Sequence, residues 1–374
     1  MNVLFLNYEY PPIGGGAGNA TKYLLNEYSK IKELRVDLIT SALGDRIEEE
    51  KISENISLIQ LPIRKKDIHF WTQRETISYA LAAQKYIKKS GVKYEVCHAF
   101  SGVPCGFIAQ EQRKKQPYIV SLRGSDVPGF NNRFALQYVF LKPLIRRMWK
   151  HASAVVANSE GLKELALKTN PNQKIDVIPN GIDTAEFKPG KKKNDTFRII
   201  TVSRLIERKG IHHLIDAAPK VLKENPDTEF VIIGEGDLEQ NLKEQVKMLG
   251  IEKNIKFMGY MPHEKLPEIY ANSSVFVLPS QNEGMSNTIM EAMAAGLPVI
   301  TTETGGSKEL IKDGINGKII KQNNSQEIAD AIISYAQDKN KIMSHGHSSR
   351  EKALNMSWEN VAKNYAEKYA EIIR

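Results

Sequence analysis

Two cysteines in 374 residues, Cys97 and Cys105, leave no second pair from which a disulfide framework or a zinc site could be assembled. Redox and structural-metal chemistry are thereby disfavoured. No apolar run approaches the roughly 20 residues that a membrane-crossing helix needs. Met1 leads straight into Val3-Leu4-Phe5-Leu6, a strand-like run, with no basic leader or small-residue cleavage site, so a cytoplasmic protein is expected. Low-complexity tracts and short-period repeats are missing too. With 41% hydrophobic and 26% charged residues, wholesale disorder is excluded. At roughly 150 residues per domain the length suggests two domains.

The net charge of +8 is unevenly placed: residues 1–187 hold 26 Lys+Arg against 19 Asp+Glu, the remainder 26 against 25. A basic first half attracts something anionic, whether nucleic acid, a phosphorylated ligand or a membrane surface, or it is only a soluble basic face; charge alone does not choose.

Short apolar runs at residues 3–6, 36–39, 56–61, 95–99, 118–121, 154–157 and 175–178 alternate with helical patterns, the signature of a parallel, doubly wound α/β domain. The alternation pauses at Pro179-Asn180-Gly181-Ile182-Asp183 and at the polar, basic tract 188–195. It restarts through runs at 197–203, 230–234, 255–258, 275–278 and 298–301. Two Rossmann-like α/β domains are expected, 1–187 and 188–355, facing across a cleft, with a last helix in 356–374 whose start carries Ser357 as N-cap and Glu359 in the first turn.

Open α/β sheets bind ligands beyond the carboxyl ends of their strands. The first such turn, Gly14-Gly15-Gly16-Ala17-Gly18, lets backbone approach a bulky or charged group at a helix start, with Gly15 and Gly16 assigned to a donor ligand. It is not a dinucleotide fingerprint, because Thr21 stands where Gly or Ala should, and a plain flexible turn is the alternative. In the second domain Arg204 and Lys209 follow the first strand. A guanidinium fork and an ammonium together can neutralise a diphosphate, although basic loop residues are commonly just solvated.

The stretch Glu283-Gly284-Met285-Ser286-Asn287-Thr288 leads into a helix that starts at Ser286 or Asn287 and stops at Gly296-Leu297-Pro298. Backbone N–H groups near Ser286, Asn287 and Thr288 can hold an anion. Glu283 before the helix and Glu291 within it bracket that position, and carboxylates accept hydrogen bonds from sugar and ribose hydroxyls. The ligand so described is a nucleotide diphosphate sugar.

These motifs together, the Glu283-x7-Glu291 stretch with its Glu-Ala-Met-Ala-Ala-Gly-Leu-Pro-Val-Ile, the Ser203-Arg204-Leu205…Lys209-Gly210 run, Val177 to Asp183 and the glycine-rich first turn, resemble the retaining glycosyltransferases of family four, which have the GT-B fold. The resemblance implies that Arg204 and Lys209 bind the donor diphosphate, that Glu283 contacts the donor sugar and Glu291 the ribose, and that no cofactor or bound metal is needed. It implies a UDP-sugar as first candidate donor, and a final helix that packs back on the first domain. Many members carry His-Gly or His-Asp where this chain reads Ser121-Leu122-Arg123-Gly124-Ser125-Asp126. Arg123 stays protonated and cannot act as a base, but it can stabilise a leaving phosphate or bind an anionic acceptor. Asp126 and His98 are candidates for the acceptor hydroxyl; the alternatives are an Asp that ends a turn and a packed core histidine.

Two basic and aromatic stretches remain, 63–71 with Lys66 and His69, and 130–150 with Arg133, Phe134, Phe140 and Arg147. The second is read either as a face for an anionic bilayer or as a core-facing helix with a solvated basic side. The leading expectation is a transferase that moves a sugar from a nucleotide donor to an acceptor hydroxyl, anionic or lipid-linked, in cell-surface polysaccharide or glycolipid synthesis. A nucleotide-sugar isomerase on the same fold is the alternative. A nucleic-acid-binding protein ranks last, since no recognition module is visible, and no nucleic-acid partner is expected.

Overall fold

The computed structural model describes residues 1–65, 67–68, 70–131, 135–190, 196–283 and 285–373. Lys66, His69, Arg133, Phe134, Gly284 and the tract 191–195 therefore lie outside the described residues. The chain divides into two units, Met1–Gly181 with Trp358–Arg374, and Ile182–Ser357. The division falls at the Asn180-Gly181 turn rather than at the polar tract that follows it. Packing explains the place: a Cβ on Gly181 would lie 2.6 Å from the Trp358 ring, so only glycine lets the two ends of the first unit close on each other. Phe187, by contrast, is fully buried in the second unit against Tyr270, ring centroids 5.6 Å apart.

The first unit runs β1 (Asn2–Leu6), α1 (Gly16–Tyr28), β2 (Arg35–Ala42), β3 (Glu48–Ser53), β4 (Ile56–Pro62), α2 (Gln73–Ser90), β5 (Val96–Ala99), α3 (Phe107–Gln112), β6 (Tyr118–Leu122), α4 (Ala135–His151), β7 (Ala154–Ala157), α5 (Glu160–Thr169) and β8 (Asp176–Val177). Its sheet has the order β3-β4-β2-β1-β5-β6-β7-β8. All pairings are parallel except β3 with β4. Both faces are covered: Leu4 and Leu6 of β1 enter one core, Val3 and Phe5 the other. This is why the strands read as continuous apolar runs. The antiparallel β3 departs from the all-parallel expectation. Its Glu-Glu-Glu-Lys-Ile-Ser sequence is mostly exposed at the sheet edge, where charge discourages pairing with another chain.

The second unit runs β9 (Arg198–Val202), α6 (Ile211–Glu224), β10 (Glu229–Ile233), α7 (Glu239–Met248), β11 (Ile255–Phe257), α8 (Leu266–Ala271), β12 (Val275–Leu278), α9 (Asn287–Ala294), β13 (Val299–Thr302), α10 (Ser307–Leu310), β14 (Gly317–Ile320), α11 (Ser325–Ala336) and α12 (Lys339–Leu354). Its sheet, β11-β10-β9-β12-β13-β14, is parallel throughout and is also buried on both faces.

The last helix, α13 (Trp358–Ile373), belongs to the first unit. Val361, Ala362, Tyr365 and Tyr369 enter the core beside Leu24 and Tyr28 of α1, and Trp358 stacks on Tyr23 at 5.7 Å. The apolar spacing of these residues is that of one helix face.

Candidate functional site

In the second sheet β9 lies between β10 and β12, so the strand order reverses there, and the loops after β9 and β12 leave adjacent carboxyl ends. Close backbone contact locks these loops together. Gly210 has φ +67°, and a Cβ there would sit 2.3 Å from the Pro279 carbonyl oxygen. Gln281 N donates to Arg208 O at 2.8 Å, and Arg208 Nη1 to Asn282 O at 3.2 Å. This pinch sets Lys209 against Glu283: the ammonium donates to Oε1, and Ser280 Oγ donates to the same oxygen at 2.7 Å. Both charges are largely shielded from water. Burial by itself would raise the Glu283 carboxyl, but the Lys209 ammonium and the Ser280 hydroxyl override it and hold the group below the usual carboxylate range. Arg204 lies exposed on the same loop.

Helix α9 begins one residue after Ser286, as the sequence implies. Ser286 makes no side-chain cap, its hydroxyl lying 3.3 Å from Thr288 Oγ1. The first-turn N–H groups of any helix lie beyond its own i−4 carbonyls, the general property that makes a helix start an anion site. Met285 is buried and packs in the core below. Glu291, 6% exposed, accepts from Tyr270 OH at 2.9 Å and lies 3.4 Å from His263 Nε2; His263 Nδ1 lies 3.4 Å from Glu186. Burial would lower His263, yet the two carboxylates hold it above its ordinary value. Glu283 and Glu291 thus have separate partner sets, one cationic and one formed by a phenol and an imidazole.

In the first unit the glycine turn precedes α1. Gly15 is the residue before the helix and Gly16 its first; Gly15 N lies 3.4 Å from the Glu9 carboxylate. After β6, Arg123 lies over the Phe100 ring, 4.1 Å from its centroid, and Nη2 donates to Asn180 Oδ1 at 2.6 Å. The Tyr365 hydroxyl also meets it. The guanidinium is therefore held by groups from three separate segments.

Asp126 and His98 turn out differently from the role proposed for them. Asp126 is buried and accepts from the backbone N–H groups of Gly102 at 2.6 Å, Arg123 at 2.9 Å and Gly124 at 2.8 Å. With three donors on one carboxylate it organises the turn that presents Arg123. His98 has no exposed surface; Nδ1 meets Tyr369 OH at 2.6 Å and Nε2 meets Ser121 Oγ at 2.7 Å. It is a core histidine and is withdrawn as an acceptor-facing group. The chain of contacts continues from Tyr369 to Tyr28 OH at 2.8 Å and from Ser121 to Tyr365 OH at 3.0 Å, which ties α13 to α1 and to β6.

A pH dependence follows. Burial, aided by the Arg123 charge, lowers the His98 imidazole to about 3, whereas in the unfolded chain it titrates near 6.5. Below that pH the unfolded state takes up a proton that the folded state refuses, so stability present above about 6.5 is lost as pH falls, by up to ~1.4 kcal/mol per unit. Denaturant unfolding at pH 7 and pH 5 should show the wild type losing about 2 kcal/mol more than His98→Gln over that interval. Parallel losses would remove His98 from the linkage.

Sequence reasoning missed the partners that hold the site groups: Ser280, Tyr270, His263, Asn180 and Tyr365. Each is distant in sequence from, or unpatterned with, the residue it serves, and only Asn180 lay within a motif already singled out.

The family model of glycosyl transferases group 1 matches residues 182–353, and that of glycosyltransferase family 4 matches residues 14–186. An uncharacterized glycosyltransferase of Methanocaldococcus jannaschii is 26% identical over 97% of this chain and 96% of its own length. The Escherichia coli UDP-Gal:alpha-D-GlcNAc-diphosphoundecaprenol alpha-1,3-galactosyltransferase is 28% identical over 67% of this chain and 65% of its own. Among solved structures, Anabaena HepE in complex with UDP and glucose superposes with a TM-score of 0.77 at 20% identity, covering 99% of this chain and 100% of that one.

Proposed function

Because the chain belongs to the glycosyltransferases of family four, with the GT-B fold, we propose that it transfers a sugar from a UDP-sugar to an acceptor hydroxyl with retention at the anomeric carbon and without a bound metal, in the synthesis of a cell-surface polysaccharide or glycolipid. The observation that carries this reading is the Lys209–Glu283 pair set beside the start of α9. It offers a cation and helix N–H groups for a diphosphate, and a carboxylate for the hydroxyls of the attached sugar. Arg204, exposed on the Lys209 loop, supplies the second cation. Glu291, with Tyr270 behind it, accepts from the ribose. In the first unit the turn at Gly15 and Gly16 is assigned to the donor, and Arg123 to the acceptor or the departing phosphate.

With Lys209 and the start of α9 assigned to the diphosphate, the protein's part is charge stabilisation and orientation rather than a general base. The specificity named for the Escherichia coli relative supports both a UDP-linked donor and a diphosphate-bearing, lipid-linked acceptor. The basic balance of residues 1–187 suits such an acceptor. Product analysis by NMR tests the stereochemistry: an α-linked product from a UDP-α-sugar is expected, and a β-linked product contradicts retention.

Arg123 has two distinguishable roles. If it binds an anionic acceptor, Arg123→Ala raises the acceptor KM roughly ten- to a hundredfold, the worth of a charge-assisted contact, with donor affinity intact. If it stabilises the leaving diphosphate, kcat falls instead. Wild-type values of both constants would take it out of the site.

A further inference from the structure

Helix α4 buries one face and leaves another apolar face in solvent. Tyr138, Ile145, Met148 and Trp149 enter the core of the first unit. On the other side Leu136 is 76% exposed, Val139 66%, Phe140 74% and Leu144 50%. Their i, i+3, i+4, i+8 spacing puts them on one stripe. A core-facing helix with a solvated basic side, the plainer expectation, does not place four large apolar side chains outward in nine residues. The helix carries no acidic residue. Lys142, Arg146, Arg147 and Lys150 accompany the stripe, and among the described residues no carboxylate pairs with them. Arg146 is tied to the Thr169 carbonyl at 2.6 Å, so the helix is anchored to the unit that presents it.

We propose that this face of α4 docks the protein on an anionic lipid bilayer. Apolar side chains enter the boundary between headgroups and acyl chains while basic side chains meet lipid phosphates. Charge complementarity selects this occupant: a second copy of the same face would bring four cations against four. Among the described residues no helix is long and apolar enough to cross a membrane, so docking is at the surface. Its use, bringing the site to a lipid-linked acceptor, rests on the transferase reading above.

The test is flotation of the full chain with vesicles of equal parts phosphatidylglycerol and phosphatidylcholine, and with pure phosphatidylcholine. Binding to the first and little to the second is expected, weakening as salt rises. Phe140→Ser with Leu144→Ser should lower partitioning roughly ten-fold or more per side chain. Lys142→Gln, Arg147→Gln and Lys150→Gln together should lower it about five-fold per charge. All variants should keep wild-type far-UV spectra and UDP binding without lipid, since the substituted side chains are surface groups outside the donor-binding unit. Equal binding to both vesicle types, or binding untouched by the serine pair, overturns the proposal. A concentration-dependent dimer that the serine pair dissociates, without vesicle binding, overturns it in favour of self-association. Loss of UDP binding by the wild type itself would instead indict the transferase reading and leave the vesicle result standing.

Discussion

Glu283→Gln is expected to lower kcat/KM for the nucleotide sugar by about two to four orders of magnitude while UDP alone binds as well as before, or better. As the proposed acceptor of sugar hydroxyls, the carboxylate would make two charge-assisted hydrogen bonds at roughly 1.5–3 kcal/mol each, which give a loss of about that size in the rate. The effect on bare UDP has the opposite sense because Glu283 now holds the Lys209 ammonium. Neutralising the acid frees that ammonium for the diphosphate. Glu291→Gln should behave differently. Its carboxylate is held by Tyr270 and His263, and as a ribose acceptor its loss should weaken UDP and UDP-sugar by the same factor. Titration calorimetry with both ligands on both variants separates the cases. Equal losses for UDP and the intact donor in Glu283→Gln would show that this carboxylate does not meet the sugar.

The second large effect concerns the cations. Arg204→Ala with Lys209→Ala should weaken UDP by at least two orders of magnitude, since each removes a charge-assisted contact to a diphosphate. Lys209→Ala also strands Glu283, a 9% exposed carboxylate. Breaking a buried pair from one side costs roughly 3–5 kcal/mol, so this variant should be destabilised as well. Lys209→Ala combined with Glu283→Gln removes the stranded charge. It should recover much of the stability and none of the UDP affinity, which separates a folding defect from a binding one.

How far the sequence could be read depended on the kind of signal. Parallel strands buried on both faces announce themselves as apolar runs, and β1, β2, β5 and β6 are legible for that reason. The acidic edge strand β3 has no such pattern, because its side chains face solvent, and Gly317–Ile320 is not among the apolar runs because a glycine and a lysine dilute its apolar content. At the site, residues close in sequence to glycine punctuation or helix starts were legible: Lys209 beside Gly210, Ser286 at the head of α9. Polar partners across the fold were not. Whether His98 faces a ligand or the core depends on Tyr369, 271 residues away, and no local pattern encodes that. Asp126 after Gly124-Ser125 looked equally like an acid and a turn former; the three backbone donors on its carboxylate decide for the turn.

The proposed binding of the donor diphosphate by Arg204, Lys209 and the start of α9 in the second unit needs no divalent ion. Its most direct test is calorimetric titration of UDP, in buffer containing a chelator, into the wild type and into Arg204→Ala, Lys209→Ala, Glu283→Gln, the triple variant that leaves no stranded carboxylate. Saturable wild-type binding that the chelator does not diminish is expected, with an affinity lowered at least a hundredfold in the variant. Equal affinities in the two proteins, or wild-type binding that vanishes with the chelator, would contradict it.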